Sequence, residues 1–278
     1  MKHKFIFILF ISVIAIPMHA QSYNELFDQA SKYEAQDSLE AAIRVYKKAI
    51  EKDPTNIRNS MLFANVARAQ RRLGQTKDAL LSYGFALNMT PLSSAILMDR
   101  ATLYADLGDN DHAIIDCNNI LDIQKDNKEA LTLRSYLLYK LRRYQEAQAD
   151  YAHLLLMDPT DLVARVGLAT LYEMQEKFHQ SMEILNALIV ERPNDPEMYV
   201  MRANLDKDLI LYDYALMDIN KAIQVALKPT PDMWIFRGDM LLHKKEKNEA
   251  RGSYQTAIKL GASRAMLMER LRRCKRIF

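Results

Sequence analysis

A metal-ligand cluster, a nucleophile beside its base or a phosphate-cradling loop would each leave a mark on these 278 residues, and the candidates can be counted. Past residue 20 the histidines are His112, His153, His179 and His243. None has a partner four residues along, the spacing at which two imidazoles share a helix face and hold zinc. The seven glycines (Gly74, Gly84, Gly108, Gly167, Gly238, Gly252 and Gly261) are too scattered for GxGxxG or a phosphate loop. There is no GxSxG elbow and no HExxH. Carboxylates are plentiful, as helical surfaces always make them, and no pair stands out with a reason for shifted acidity. No catalytic residue, metal site or cofactor site is expected.

Charge does recur at a fixed spacing. Arg100 and Asp116, Arg134 and Asp150, and Arg202 and Asp218 are each sixteen residues apart, at places seven and twenty-three of a repeating unit. Where place seven is Gln29, Val66 or Leu168, place twenty-three is Val45, Ser82 or Ile184. The charges come and go together. An unpaired buried charge is costly, whereas a hydrogen-bonded pair offsets its desolvation. Three salt bridges, each inside one unit, are predicted. Arg237 lacks its Asp and is expected to reach back to Asp218.

The elements that position these residues come from a 34-residue period spanning Tyr23 to Arg264, in units 23–56, 60–93, 94–127, 128–161, 162–195, 196–229 and 231–264. The eighth place reads Ala30, Ala67, Ala101, Ser135, Ala169, Ala203 and Gly238. The twentieth reads Ala42, Ala79, Ala113, Ala147, Ser181, Ala215 and Ala250. Two antiparallel helices approach closely only where both carry small side chains at the crossing. Larger residues fill place twenty-four: Tyr46, Tyr83, Cys117, Tyr151, Leu185, Ile219 and Tyr254. Pro54, Pro91, Pro159 and Pro193 at place thirty-two are expected to end the second helix, lacking the next N–H donor. Gly and Pro together number 15, about 5% of the chain against roughly 12% in average usage, which argues against β-sandwiches, β-barrels and Gly-rich nucleotide sheets.

These columns resemble the tetratricopeptide repeat: small at eight and twenty, aromatic at eleven and twenty-four, proline at thirty-two. The resemblance implies an all-α, right-handed superhelical solenoid of seven helix-turn-helix repeats. Gln70 and Asp206 at place eleven and Arg165 at place four depart from the pattern, so looser packing is expected in those units. Residues 265–278 read as a C-terminal capping helix. Leu267, Leu271, Cys274 and Ile277 form its apolar stripe, with Arg270, Arg272, Arg273, Lys275 and Arg276 on the other faces.

Residues 1–20 read as a signal peptide: basic Met1-Lys2-His3-Lys4, an apolar run from Phe5 to Ile16 broken by Ser12, and Pro17-Met18-His19-Ala20 before the cut. The alternative is a retained anchor, although twelve residues fall short of the roughly 20 that cross a bilayer. Cleavage takes Lys2 and Lys4 from a net charge of +3, leaving a nearly neutral chain with no footprint for nucleic acid or anionic membrane. Cys117 and Cys274, far apart in an elongated array, are expected to remain thiols.

In the family the groove-facing places are two, five, nine, twelve and thirteen. Carried onto this chain, they give a basic cluster of Arg68, Arg71 and Arg72. A middle of Met98, Thr132, Tyr136, Tyr139, Val163, Val166, Thr170 and Met174 follows. The other end holds Glu197, Asp208, Asp232 and Asp239, with Lys207 as an exception. The resemblance implies capture of a protein or peptide partner in that groove, and the charges of these residues predict that its acidic end lies toward Arg71. The favoured reading is an exported, periplasmic interaction scaffold. A chaperone-like escort for secreted or outer-membrane polypeptides is the alternative, and an enzyme the third class. A heat-shock cochaperone is disfavoured, since Phe27 and Ser31 stand where that subfamily carries Lys and Asn.

Overall fold

The structure, a computed structural model, describes residues 21–274; the signal-peptide segment and Ile277 lie outside the described residues. Among them are fifteen α-helices and no strand. The first helices of successive pairs are α1 (Tyr23–Ala35), α3 (Asn59–Arg72), α5 (Ser94–Asp106), α7 (Lys128–Lys140), α9 (Leu162–Met174), α11 (Pro196–Asp208) and α13 (Pro231–His243). Their partners are α2 (Leu39–Lys52), α4 (Thr76–Met89), α6 (Asn110–Ile123), α8 (Tyr144–Met157), α10 (Phe178–Glu191), α12 (Tyr212–Val225) and α14 (Lys247–Lys259), followed by α15 (Met268–Arg273). The chain forms two compact units, one ending at Ile123 and one beginning at Gln124. Within each, every helix packs on its neighbours in sequence, and first helices also touch one another, α3 on α5 and α7 on α9.

The helices begin and end for local reasons. Ser22 and Glu25 form a reciprocal capping box, and Asn127, Asp161, Asp195 and Thr230 each accept a backbone N–H at the start of α7, α9, α11 and α13. The second helices other than α6, where Asp109 accepts the His112 N–H at 3.4 Å, start without such a cap, and all seven follow directly from a tight turn whose residue at place fifteen is left-handed. Gly74 and Gly108 take that conformation freely, whereas Asp37, Arg142, Glu176, Ile210 and Lys245 take it against their Cβ. α6 and α12 stop at the same place as the proline-terminated helices although Lys125 and Leu227 stand at place thirty-two, so the stop does not require the ring.

All fourteen small residues at the crossings are buried. At Gly238 the need is strict: an added Cβ would lie 2.5 Å from Cε1 of Tyr254, a fully buried ring. The three predicted ion pairs form, all bidentate. Arg100 donates to Asp116 through Nε and Nη2 at 2.8 Å each. Arg134 reaches Asp150 at 2.8 and 2.6 Å, and Arg202 reaches Asp218 at 2.6 and 2.7 Å. Each aspartate is buried while the arginine is part-exposed, so these are structural clamps between the two helices of one repeat. Arg237 does not reach Asp218. Its Nη1 donates to Ser253 at 2.6 Å, at place twenty-three of its own repeat, and its Nε to Asn220 at 2.7 Å.

The expected looseness at place eleven does not occur. The α3–α4 and α11–α12 pairs are the most closely packed. Gln70 is buried and accepts from the Ser82 hydroxyl at 2.7 Å, and Asp206 is buried beside the Arg202–Asp218 pair. The unit with Arg165 is the least closely packed, and that side chain turns to Glu191 with bonds of 2.5 and 2.9 Å. At the C-terminal end Leu267 and Cys274 are buried against Ile235, Leu241, Leu242, Tyr254 and Ala257, with Leu271 partly buried beside them. Arg270, part-exposed, donates to Asp239 at 2.7 and 3.1 Å, tying α15 to α13.

Candidate functional site

Places five, nine and twelve of α7 lie on one face because their spacings of four and three match the helical repeat. They are Thr132, Tyr136 and Tyr139, and they face a cavity of about 470 Å³. α9 contributes Leu162, Val163, Val166, Gly167 and Thr170 to it, α8 contributes Tyr151, and α11 closes it with Glu197 and Met198. The chemistry is almost wholly apolar. The Thr170 hydroxyl donates to the Val166 carbonyl at 3.0 Å, so its polar group is satisfied within α9. At Gly167 a Cβ would collide with the end of the Tyr151 ring, so the missing side chain makes room for that tyrosine. Burial pushes the Tyr139 and Tyr151 phenols up from their usual acidity, keeping both neutral. Tyr136 is half exposed, with the Lys140 ammonium 5.4 Å from its ring centre. Glu197, exposed in the first turn of α11, is the one charged residue of the lining. Such a recess suits a bulky apolar side chain.

The remaining groove positions have other neighbours. Met174 is exposed on α9 outside the cavity lining, and Met98 is half-buried on α5. The basic cluster is already compensated: Arg68 binds Asp99 at 2.7 Å, Arg71 binds Asp106, and Arg72 binds Asp37. An acidic segment lying at Arg71 would therefore have to displace Asp106. Asp239 is likewise engaged, accepting from Arg270 and, at 2.7 Å, from the Tyr254 hydroxyl. Lys207 pairs with Asp208 at 3.0 Å, and Asp232 is exposed in the first turn of α13.

Tyr151, Leu162, Gly167 and Met198 were not legible as lining residues. Tyr151 reads as the aromatic filler of its own repeat, and a glycine carries no signal for the ring that occupies its space. Glu173 was also missed, although it stands at the same place in its repeat as Tyr139. Burial, with the charge of Asp208 second, raises its carboxyl above the ordinary range against the pull of Lys207.

The titratable candidates do not converge. His112 pairs with Asp109, His153 with Asp126, and His243 stacks on Tyr212 at 4.5 Å. Among the described residues no group of three or more His, Cys, Asp or Glu could hold a metal ion, and no helix is long and apolar enough to cross a membrane.

Helix hairpins stacked through small residues, with an apolar recess between first helices, define an α-solenoid of the protein-binding class. The tetratricopeptide repeat family model matches residues 67–128 and 138–205. The chain is 32% identical to a tetratricopeptide repeat protein from Parabacteroides merdae of known crystal structure. The two superpose with a TM-score of 0.72 over 92% of this chain and 99% of that one. The chain belongs to the tetratricopeptide repeat family, whose fold is in general a non-catalytic scaffold for protein–protein interaction. It is also 24% identical over 220 residues to the human protein O-mannosyl-transferase TMTC1, covering 77% of this chain. It spans only 24% of that relative's length. YrrB, whose crystal structure is described as that of a tetratricopeptide protein with an unusual peptide-binding site, shares the fold. Its TM-score is 0.53 at 18% identity, over 61% of this chain and 86% of YrrB.

Proposed function

We propose that this chain is an exported, non-enzymatic adaptor that captures a protein partner by seating an apolar side chain of an extended or helical segment between α7, α9 and α11. One observation carries the reading: a cavity of about 470 Å³ whose walls are tyrosine, valine, leucine and methionine side chains, open beside the half-exposed Tyr136. A recess of this kind concentrates binding energy because the inserted side chain leaves water completely and tyrosines line its entrance. The peptide-binding site described for YrrB lends support by analogy of fold. Export rests on the basic–apolar–small order of residues 1–20, and it places the partner in the periplasm or at the envelope.

The test is affinity capture and crosslinking of the mature chain in its native envelope, followed by titration of the captured partner. Tyr136→Ala with Tyr139→Ala should weaken binding by about 2 kcal/mol or more, roughly 30-fold, with the helical content unchanged. Unchanged affinity in that variant, together with loss in a variant of the second-helix face, would move the site to the opposite surface. N-terminal sequencing of the mature protein should begin at Gln21; a retained Met1 would refute cleavage.

A further inference from the structure

A second cavity of about 400 Å³ lies between α10, α11 and α12, with Met182, Leu211, Tyr214 and Met217 around it and Arg202, Asp206 and Asp218 at its polar side. Asp206 stands at place eleven, which holds tyrosine or leucine in five of the seven units, and the cavity opens beside its short side chain. The other polar residue at this place, Gln70, is satisfied by Ser82. Asp206 is not: it is only 5% exposed, and among the described residues no donor makes a hydrogen bond to its carboxylate. Its neighbour Asp218 has both oxygens occupied by Arg202. Two carboxylates against one guanidinium leave a net single negative charge at the polar side. A buried anion without a donor is costly, and a ligand that supplied the donor would recover that cost.

We propose that this cavity binds a primary ammonium on an aliphatic stem, the chemistry of a lysine side chain presented by a partner. An ammonium is a compact charge with three donors, able to reach Asp206 without taking Asp218 from Arg202. The methylene stem lies against the methionine side chains, and the Tyr214 ring, 60% exposed, offers its face to the cation at the mouth. A planar guanidinium fits less well, because its fork would face Arg202. A divalent metal would need more oxygens than the one carboxylate left unengaged. This site is formed by helices α10 to α12 and does not depend on the α7–α9 recess.

The experiment uses the full mature chain with 13C-methyl methionine, titrated with N-acetyl-lysine methylamide. The Met182 and Met217 methyl resonances should shift saturably. N-acetyl-norleucine methylamide, the same stem without the charge, should bind at least tenfold more weakly. Asp206→Asn, isosteric and neutral, should abolish the shifts while its thermal melt shows an intact fold. Shifts that do not saturate, equal binding of the norleucine compound or retained binding in Asp206→Asn would each overturn the proposal. So would tighter binding of N-acetyl-arginine methylamide, or the same shifts from calcium alone.

Discussion

Replacing Asp116 by Ala removes the partner of Arg100 in the third repeat, and the cost can be worked from the geometry. Two charge-assisted bonds of 2.8 Å are lost, from an aspartate side chain that is 1% exposed to an arginine that is 23% exposed. Each such bond contributes on the order of 1.5–3 kcal/mol before solvent recovers part of it. Because the arginine retains some water, Asp116→Ala should destabilise by about 3 kcal/mol, and Arg100→Met, which strands the fully buried aspartate, by more. The double variant Arg100→Met with Asp116→Leu removes both charges and refills the space. It should lie within about 1 kcal/mol of the parent, because desolvating the pair nearly cancels its attraction. Urea denaturation of the parent, Arg100→Met, Asp116→Leu and the double variant at one pH gives the cycle; single costs of about 3 kcal/mol or more each, against about 1 kcal/mol for the double, set an expected coupling of about 5 kcal/mol. Strictly additive single and double variants would refute the argument that these charges are present only as pairs.

Asp206 titrates in the opposite sense to a clamped aspartate: burial, with the charge of Asp218 second, pushes its carboxyl up to about 6 against the pull of Arg202. The folded chain then holds a proton that the unfolded chain releases nearer 3.8, so this group costs stability above pH 6 and the loss is recovered as pH falls toward 4. Asp206→Asn should therefore gain about 2 kcal/mol at pH 8 and almost nothing at pH 4 in paired denaturation curves; equal gains at both would exclude the ionised carboxylate as the cause. Ile210, exposed and left-handed at φ 64°, should give about 1 kcal/mol when changed to Asn, read as a higher Tm. Tyr83 and Tyr254 make a matched pair of buried phenols: the Tyr83 hydroxyl has no hydrogen-bond partner, whereas that of Tyr254 donates to Asp239 at 2.7 Å. Tyr83→Phe should be neutral or stabilising by up to about 1 kcal/mol and Tyr254→Phe should cost about 1–2 kcal/mol, and a reversed order of the two melting temperatures would contradict the hydrogen-bond assignment.

What was readable in the residues is what lies inside one helix hairpin. The small crossing residues and the Arg–Asp pairs sit at separations fixed by 3.6 residues per turn and a short turn, so a 34-residue register determines which of them meet. The register also placed Thr132, Tyr136 and Tyr139 on one face. What lies between hairpins was not readable, because it depends on the angle and rise with which one repeat packs on the next. That packing gave Arg68 to Asp99 and Arg71 to Asp106, closing a cluster that the register alone leaves open. It sent the Nε of Arg237 to Asn220 of the preceding repeat, and Arg270 of the terminal helix to Asp239. It also brought Met198 over Val166 and set the Tyr151 ring against Gly167, making a recess from residues that each read as core of a different repeat. The left-handed turns divide the same way: Gly74 and Gly108 announce theirs, whereas Ile210 and Lys245 adopt the same conformation only because the flanking helices are held in place by their packing.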